Sequence, residues 1–526
     1  MLASLDVPTT LSASPLWSIQ RDYFASRGVE AWRHWEVPHY VTNSPVLAHT
    51  YARMIAGMLT DCAGRGGADE TLYIVELGSG SGRLAHHVLV ELAALVQPFA
   101  GSPPRYCYVL TDYVDSNIRF WNDHPRLRPF IEQGVLDVAL FDATAPNELL
   151  LMHSGRRIGQ RTLSHPLVVV ANYFFDSIPQ DLFYCEQHTI RECYISLRPT
   201  AEAPTAEAPT DEKAPPLVRL QIAFDYRPLA QHRYAEQRFN EMLDGYRRDL
   251  QQSYVLFPYA GISCLEWLRG VSAEGILLLC ADKGKKRIDD IDGAPPPALA
   301  VHGNSFSLPV NFHAIASYYS KLGMGILASS HTARQLRVIG VLGVAQRSAY
   351  THTVQSFHQA VMEFGPDDFY KLKAHVERQL PTIELDEWLA FLRLSRYDAR
   401  VVSDSMSRLL ELIPQGGAEQ LDELREALAR VWATYYSLGE QDDLAFQLGL
   451  LQLQMKEYEA AVSLFICSLK VYGDSAPVYY NMSLCFYYLS DLDKTMDCLE
   501  ICLRMQPDHD KAAQLRAAIM KLRGES

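Results

Sequence analysis

The sequence lacks most of the features that would settle its class at a glance. Its ten cysteines include no CxxC pair and no His-rich ligand spacing, so neither a metal site nor a disulfide framework is expected, and a reducing compartment is. No window approaches the ~18 uninterrupted apolar residues of a membrane span. The opening stretch MLASLDVPTTLSASPLW has no basic start and no apolar core of signal-peptide length. Basic excess is missing as well: 48 Lys and Arg against 62 Asp and Glu give a net charge of −14, which argues against nucleic acid as a partner. These absences together predict a soluble cytoplasmic protein without metal, membrane or nucleic acid.

What is present points to folded domains. The chain has 526 residues, 48% of them hydrophobic, which is too long for one simple core and ordinary in composition. Five short apolar runs, at 73–77, 106–112, 135–142, 167–172 and 275–282, alternate with helix-patterned stretches. That is the pattern of βαβ units on a parallel sheet buried on both faces. Pro199 to Pro216 reads PTAEAPTAEAPTDEKAPP and holds no apolar side chain larger than alanine. It is expected to be a disordered insertion between two strands of a hairpin, Glu192 to Leu197 and Leu217 to Phe224.

The first run ends in Glu76-Leu77-Gly78-Ser79-Gly80-Ser81-Gly82-Arg83 and continues into an amphipathic helix. A glycine-rich turn between a parallel strand and a helix brings backbone N–H groups close to a ligand. A dinucleotide turn would be GxGxxG with an acid about 20 residues on. Here the third glycine arrives one residue early and the next strand-end acid is Asp112, so the spacing favours an adenosyl ligand without a pyrophosphate. Asp112 at the second strand end has two acceptor oxygens for ribose hydroxyls. Asp142 follows the third strand and Asn172 ends the fourth.

This pattern resembles the first motif of class I S-adenosylmethionine (SAM) dependent methyltransferases. The order of further segments is similar to the MidA-type family, whose mitochondrial members are complex I assembly factors that methylate a protein arginine. The segments are Tyr40-Val41-Thr42-Asn43-Ser44-Pro45 before a helix, Asn172 to Pro179, Asp282-Lys283-Gly284, His302-Gly303, Leu308 to Phe312 and Leu342-Gly343. The resemblance implies a Rossmann-like α/β fold and SAM as cofactor, with Thr42, Ser44 and Pro45 closing over it. Glu76, Gly78, Gly80, Gly82, Asp112 and Asp142 would hold that cofactor, and Asn172 with Asp176 would face the acceptor as the catalytic pair. Three positions depart from the family pattern: Tyr173 stands for a glutamate, Lys283 for a tyrosine and Asn311 for an aspartate. A guanidinium acceptor needs carboxylates to orient its fork, so the departures bear on the acceptor and not on the cofactor.

Near the C-terminus a 34-residue offset pairs Ala445 with Tyr479, Leu448 with Met482, Gly449 with Ser483, Ala461 with Thr495, Phe465 with Leu499 and Ser468 with Cys502. Small residues recur where helices must approach closely, and the pattern resembles the tetratricopeptide repeat. Leu424, Ala427, Val431 and Tyr435 continue it upstream, and Lys511 to Leu522 looks like a capping helix. Residues 401–526 carry 19 acidic against 11 basic side chains, so a protein partner with a basic segment is expected there. The expected organisation is a methyltransferase domain over 1–385 and an all-α domain over 386–526, its repeats clearest at 442–509. Two other readings stay open: a decayed methyltransferase fold serving as an assembly scaffold, and a small-molecule methyltransferase.

Overall fold

A computed structural model describes residues 6–63, 71–96, 105–199, 217–333 and 335–523. The expected insertion at 199–216 therefore lies, except for the backbone of Pro199, outside the described residues. The chain divides into two compact units, 1–370 and 371–526.

In the first unit, helices α1 (Pro15–Arg27), α2 (Glu30–Arg33) and α3 (Pro45–Cys62) precede the sheet strands. Ser44 starts α3 by accepting the Leu47 N–H, and Pro45 occupies its first turn, a pairing that suits the unsatisfied donors and fixed φ of a helix start. Then come β1 (Leu72–Glu76), α4 (Arg83–Val96), β2 (Tyr106–Asp112), α5 (Asp115–Asp123), β3 (Leu136–Leu140) and β4 (Leu167–Asn172). Strands β5 (Asp181–Glu186), β6 (Thr189–Pro199), β7 (Leu220–Pro228) and β8 (Gln252–Phe257) follow. Strands β9 (Gly275–Asp282), β10 (Gly325–Ala328) and β11 (Arg337–Val344) complete the set used below.

The main sheet has seven strands in the order β10-β11-β9-β4-β1-β2-β3. The five strands β9, β4, β1, β2 and β3 run parallel, and β11 and β10 close one edge antiparallel. All five apolar runs of the sequence are strands of its parallel part. Every residue of β1 is buried, which is why these strands read as continuous apolar segments and not as alternating ones. β5, β6, β7 and β8 form a second, antiparallel sheet of five strands together with the short strand Thr9–Thr10, which pairs with β6. Its β6–β7 hairpin is in register from Arg191↔Pro228 to Pro199↔Leu220, so the flanks of the insertion pair as the sequence implies.

The second unit is all helical in its regular structure. Helix α6 (Ala418–Thr434) is followed by α7 (Leu444–Gln454), α8 (Tyr458–Tyr472), α9 (Ala476–Tyr488), α10 (Leu492–Met505) and α11 (Asp510–Arg523). α7 with α8 and α9 with α10 are successive helical hairpins, and the small positions Ala445, Gly449, Ala461, Ser468, Ser483, Thr495 and Cys502 are buried between them. A Cβ on Gly449 would lie 2.5 Å from the Phe465 ring, so glycine sets how closely α7 approaches α8. Leu424, Ala427 and Val431 are buried on α6, while Tyr435 lies just beyond its end.

Candidate functional site

The first three parallel strands run outward from β1 to one side, and the chain then returns to place β4 and β9 on the other side. The loops leaving β1 and β4 consequently diverge, and a crevice opens beyond the carboxyl ends of these strands. A cavity of about 720 Å³ fills that position.

The glycine turn forms its floor and is pinned from both neighbouring strands. Leu77 N–H donates to Val170 O, and Ser79 N–H to Thr111 O, each at 2.9 Å. Thr111 Oγ1 donates to Glu76 O at 2.6 Å, and Trp121 Nε1 donates to Gly80 O at 3.0 Å. Gly78, Gly80 and Gly82 all have positive φ, conformations that side-chain-bearing residues reach only at a cost. At Gly78 a Cβ would meet nothing closer than Phe174 at 4.0 Å, so its backbone faces open space. At Gly80 a Cβ would lie 2.9 Å from the indole of Trp32. The space over Gly80 is thus filled by this chain's own tryptophan.

Asp112 is buried and already engaged. Its Oδ2 accepts from Gly80 N–H (3.1 Å) and Asn117 Nδ2 (3.0 Å), and its Oδ1 from Val114 N–H (3.0 Å). Both lone pairs of Oδ2 are used and the Tyr113 backbone also favours the charged form, where the sequence suggested two free oxygens. Burial raises its pKa against the effect of these donors. Asn117, which the sequence reading passed over, is fully buried and its own Oδ1 has no partner. Asp142 is held by Arg21 in a two-pronged pair at 2.7 and 3.2 Å and by Thr144. Partial burial opposes its ionisation, but the Arg21 and Thr144 bonds outweigh that and hold its pKa below the ordinary value. Arg21 also lies 4.2 Å over the Tyr113 ring. Glu76 ends β1 with Oε2 accepting from Tyr108 Oη at 2.7 Å. Burial pushes its pKa up to about 8, with the Asp112 charge adding to the rise and the Tyr108 bond opposing it.

The other end of the cavity lies beyond β4 and β9, which pair in parallel with Asn172 beside Ala281. Asn172 Nδ2 donates to Thr42 O at 2.6 Å, and its Oδ1 accepts from Tyr51 Oη at 3.2 Å. The next residue, Tyr173, has φ +46 and is held there by its N–H donating to Ala281 O at 2.9 Å. Backbone strain of this kind at a strand end persists only where the surroundings impose it. Asp176 is 9% exposed and Asp282 0% exposed. One oxygen of each carboxylate, and the Tyr173 hydroxyl, are buried without a hydrogen-bond partner. Lys283 belongs to the same wall.

Thr42, Glu76, Gly78, Gly80, Asp112, Asp142, Asn172 and Asp176 therefore converge on one cavity. Ser44, Pro45 and Gly82 lie outside its wall. Ser44 caps α3 and meets the Tyr370 hydroxyl at 2.6 Å, and Gly82 shapes the entry to α4. Asn311 is also elsewhere: it caps the helix Phe312–Lys321 and donates to Leu256 O. The aromatic pair Phe174 and Phe175 packs in the core of the unit. The N-terminal arm is the part the sequence reading missed. Trp17, Arg21 and Phe24 of α1, and Trp32 of α2, roof the cavity. Unassigned tryptophans in the N-terminal segment were the only available signal.

No family model and no curated protein sequence matches the chain. Two solved structures from Burkholderia thailandensis are similar to it. One, an uncharacterized COG1565 superfamily protein, is 18% identical with a TM-score of 0.38 and covers 62% of this chain and 74% of its own. The other, a COG1565 superfamily member bound to S-adenosyl-homocysteine, is 17% identical with a TM-score of 0.39 and covers 62% and 75%. A MamA fragment from Desulfovibrio magneticus RS-1 is 16% identical with a TM-score of 0.24, covering 30% of this chain and 87% of its own. At these TM-scores the functional assignment rests on the geometry of the site. Among the described residues no helix is long and apolar enough to cross a membrane.

Proposed function

We propose that the chain is a SAM-dependent methyltransferase acting on a protein side chain, with the C-terminal helical hairpins serving as tetratricopeptide-like repeats that recruit a partner through a basic segment. The supporting observation is a single cavity that joins an open glycine cradle at Gly78 to two buried carboxylates, each with one oxygen that lacks a partner. The residues fit an adenosyl ligand: the Gly78 backbone is exposed to it, and the Asp112 carboxylate lines the same cavity as the acceptor for a ribose diol. Bound there, the sulfonium cofactor supplies an activated methyl group, which leaves the protein the tasks of orientation and proton removal. Tyr173, Asp176 and Asp282 would meet the acceptor. The acidic surface of the C-terminal helices would steer a basic segment with a salt-dependent association rate.

The scaffold alternative draws on the Trp32 ring seated on Gly80 and on the Arg21–Asp142 pair, since both fill space that a ligand would use. Titration calorimetry with SAM on the full chain separates the two readings. Saturable binding that Asp112→Ala weakens supports the enzyme, and no heat up to millimolar SAM supports the scaffold.

A further inference from the structure

The acceptor end of the cavity holds more unpaired acidity than positioning requires. Asp282 ends β9, Asp176 lies in the loop that follows the adjacent parallel strand β4, both line the cavity, and each keeps one buried oxygen without a partner. We propose that Asp176 is the proton acceptor of this site and that Asp282 is a positioning residue sharing one proton with it, so that the group taking the methyl is a nitrogen or oxygen nucleophile carrying a removable proton. This rests on the methyltransferase reading above.

The balance of the step is simple. The acceptor forms one new bond to the methyl carbon, the carbon–sulfur bond breaks with its electron pair left on sulfur, and the acceptor's proton passes to the Asp176 carboxylate. The charged surroundings suit that role. Burial pushes the Asp176 carboxyl up to about 7, with its own N–H, Lys283 and Ser177 opposing the rise. Burial and the Asp176 charge push Asp282 well above the ordinary carboxylate range, although the Lys283 N–H donates to its Oδ1 at 2.7 Å. Tyr173 stays neutral, raised by burial and by Asp282, Tyr370, Asp176 and Asp367. Burial also holds the nearby Cys280 thiol neutral, and His302 is lowered by burial and by Lys283. A base that titrates near neutrality both accepts a proton and releases it in the next cycle.

Two nucleoside probes test this without a known acceptor. S-adenosyl-homocysteine has a neutral thioether, whereas sinefungin carries an ammonium group in place of the methylated sulfonium. Their dissociation constants are measured by calorimetry from about pH 6 to about pH 8. For the parent protein the preference for sinefungin should rise about tenfold over that range, following ionisation of a carboxylate with a midpoint near 7. Asp176→Asn should flatten the preference while S-adenosyl-homocysteine still binds, which also shows that the variant is folded. Asp282→Asn should move the midpoint and keep the step. If both probes bind with a pH-independent ratio, or if Asp176→Asn retains the step, the proton-acceptor assignment fails and the cofactor reading stands. If neither probe binds at millimolar concentration, the cofactor reading fails and takes this inference with it.

Discussion

Replacing Glu76 by glutamine should stabilise the unliganded protein, and by an amount that depends on pH. Glu76 is 3% exposed at the end of a fully buried strand, and its one hydrogen-bond donor is the Tyr108 hydroxyl. Its pKa is raised from 4.5 to about 8. A carboxyl group whose folded pKa is raised binds its proton more tightly in the folded state. Its stabilising contribution is therefore full below the unfolded value and is lost as pH climbs through the interval between the two values. At ~1.4 kcal/mol per pH unit, the loss reaches about 2 kcal/mol by about pH 6 and about 4–5 kcal/mol above pH 8. Glutamine keeps the shape and an acceptor for Tyr108 but does not ionise, so it escapes that loss. Urea unfolding of parent and variant, followed by tryptophan emission at several pH values from about 5 to about 9, reads the difference directly. The gap should open steadily with pH and level off above 8. A gap that stays constant over the whole range would refute the argument, because it would mean that Glu76 ionises at the same pH in the folded and unfolded chains.

Gly80→Ala should lower stability by about 1–2 kcal/mol from its φ of +53 alone, and should shift the emission of Trp32, whose ring a Cβ would touch; an unchanged melt and spectrum would remove Trp32 from the roof of the cavity. Asp112→Ala should weaken SAM binding by about 1.5–3 kcal/mol, read by calorimetry, and should also lower the melting temperature, since Gly80, Val114 and Asn117 lose the oxygens they donate to. Unchanged affinity with a lowered melt would make Asp112 purely a brace of the glycine turn. Gly449→Ala should destabilise the C-terminal hairpins by about 1–3 kcal/mol through overpacking against Phe465, seen as an earlier loss of helical circular dichroism in urea, whereas an unshifted transition would mean that α7 and α8 have room to spare.

The local and periodic features of this protein were written in its sequence. Leu72 to Glu76 and Leu167 to Asn172 read as strands because a sheet buried on both faces needs an unbroken apolar run, and that demand falls on a few adjacent residues. Gly78 and Gly80 announced their turn because only glycine takes a positive φ cheaply. The offset between Phe465 and Leu499 showed the helical hairpins because repeating contacts need repeating side-chain sizes. Ser44 and Pro45 carried an equally local signal, a helix start, which the family resemblance overrode. Tertiary structure alone decided the partners. Arg21 meets Asp142 across 121 residues, and neither residue's neighbours in the chain distinguish that ion pair from a solvated surface. Asp176 and Asp282 came to line one cavity because β9 lies beside β4 in the sheet, and nothing in a linear spacing of 106 residues encodes that adjacency. Trp32 came to rest on Gly80 for the same reason: long-range contacts are selected by the packing of whole elements, and the sequence records their sizes and polarity without recording which ones meet.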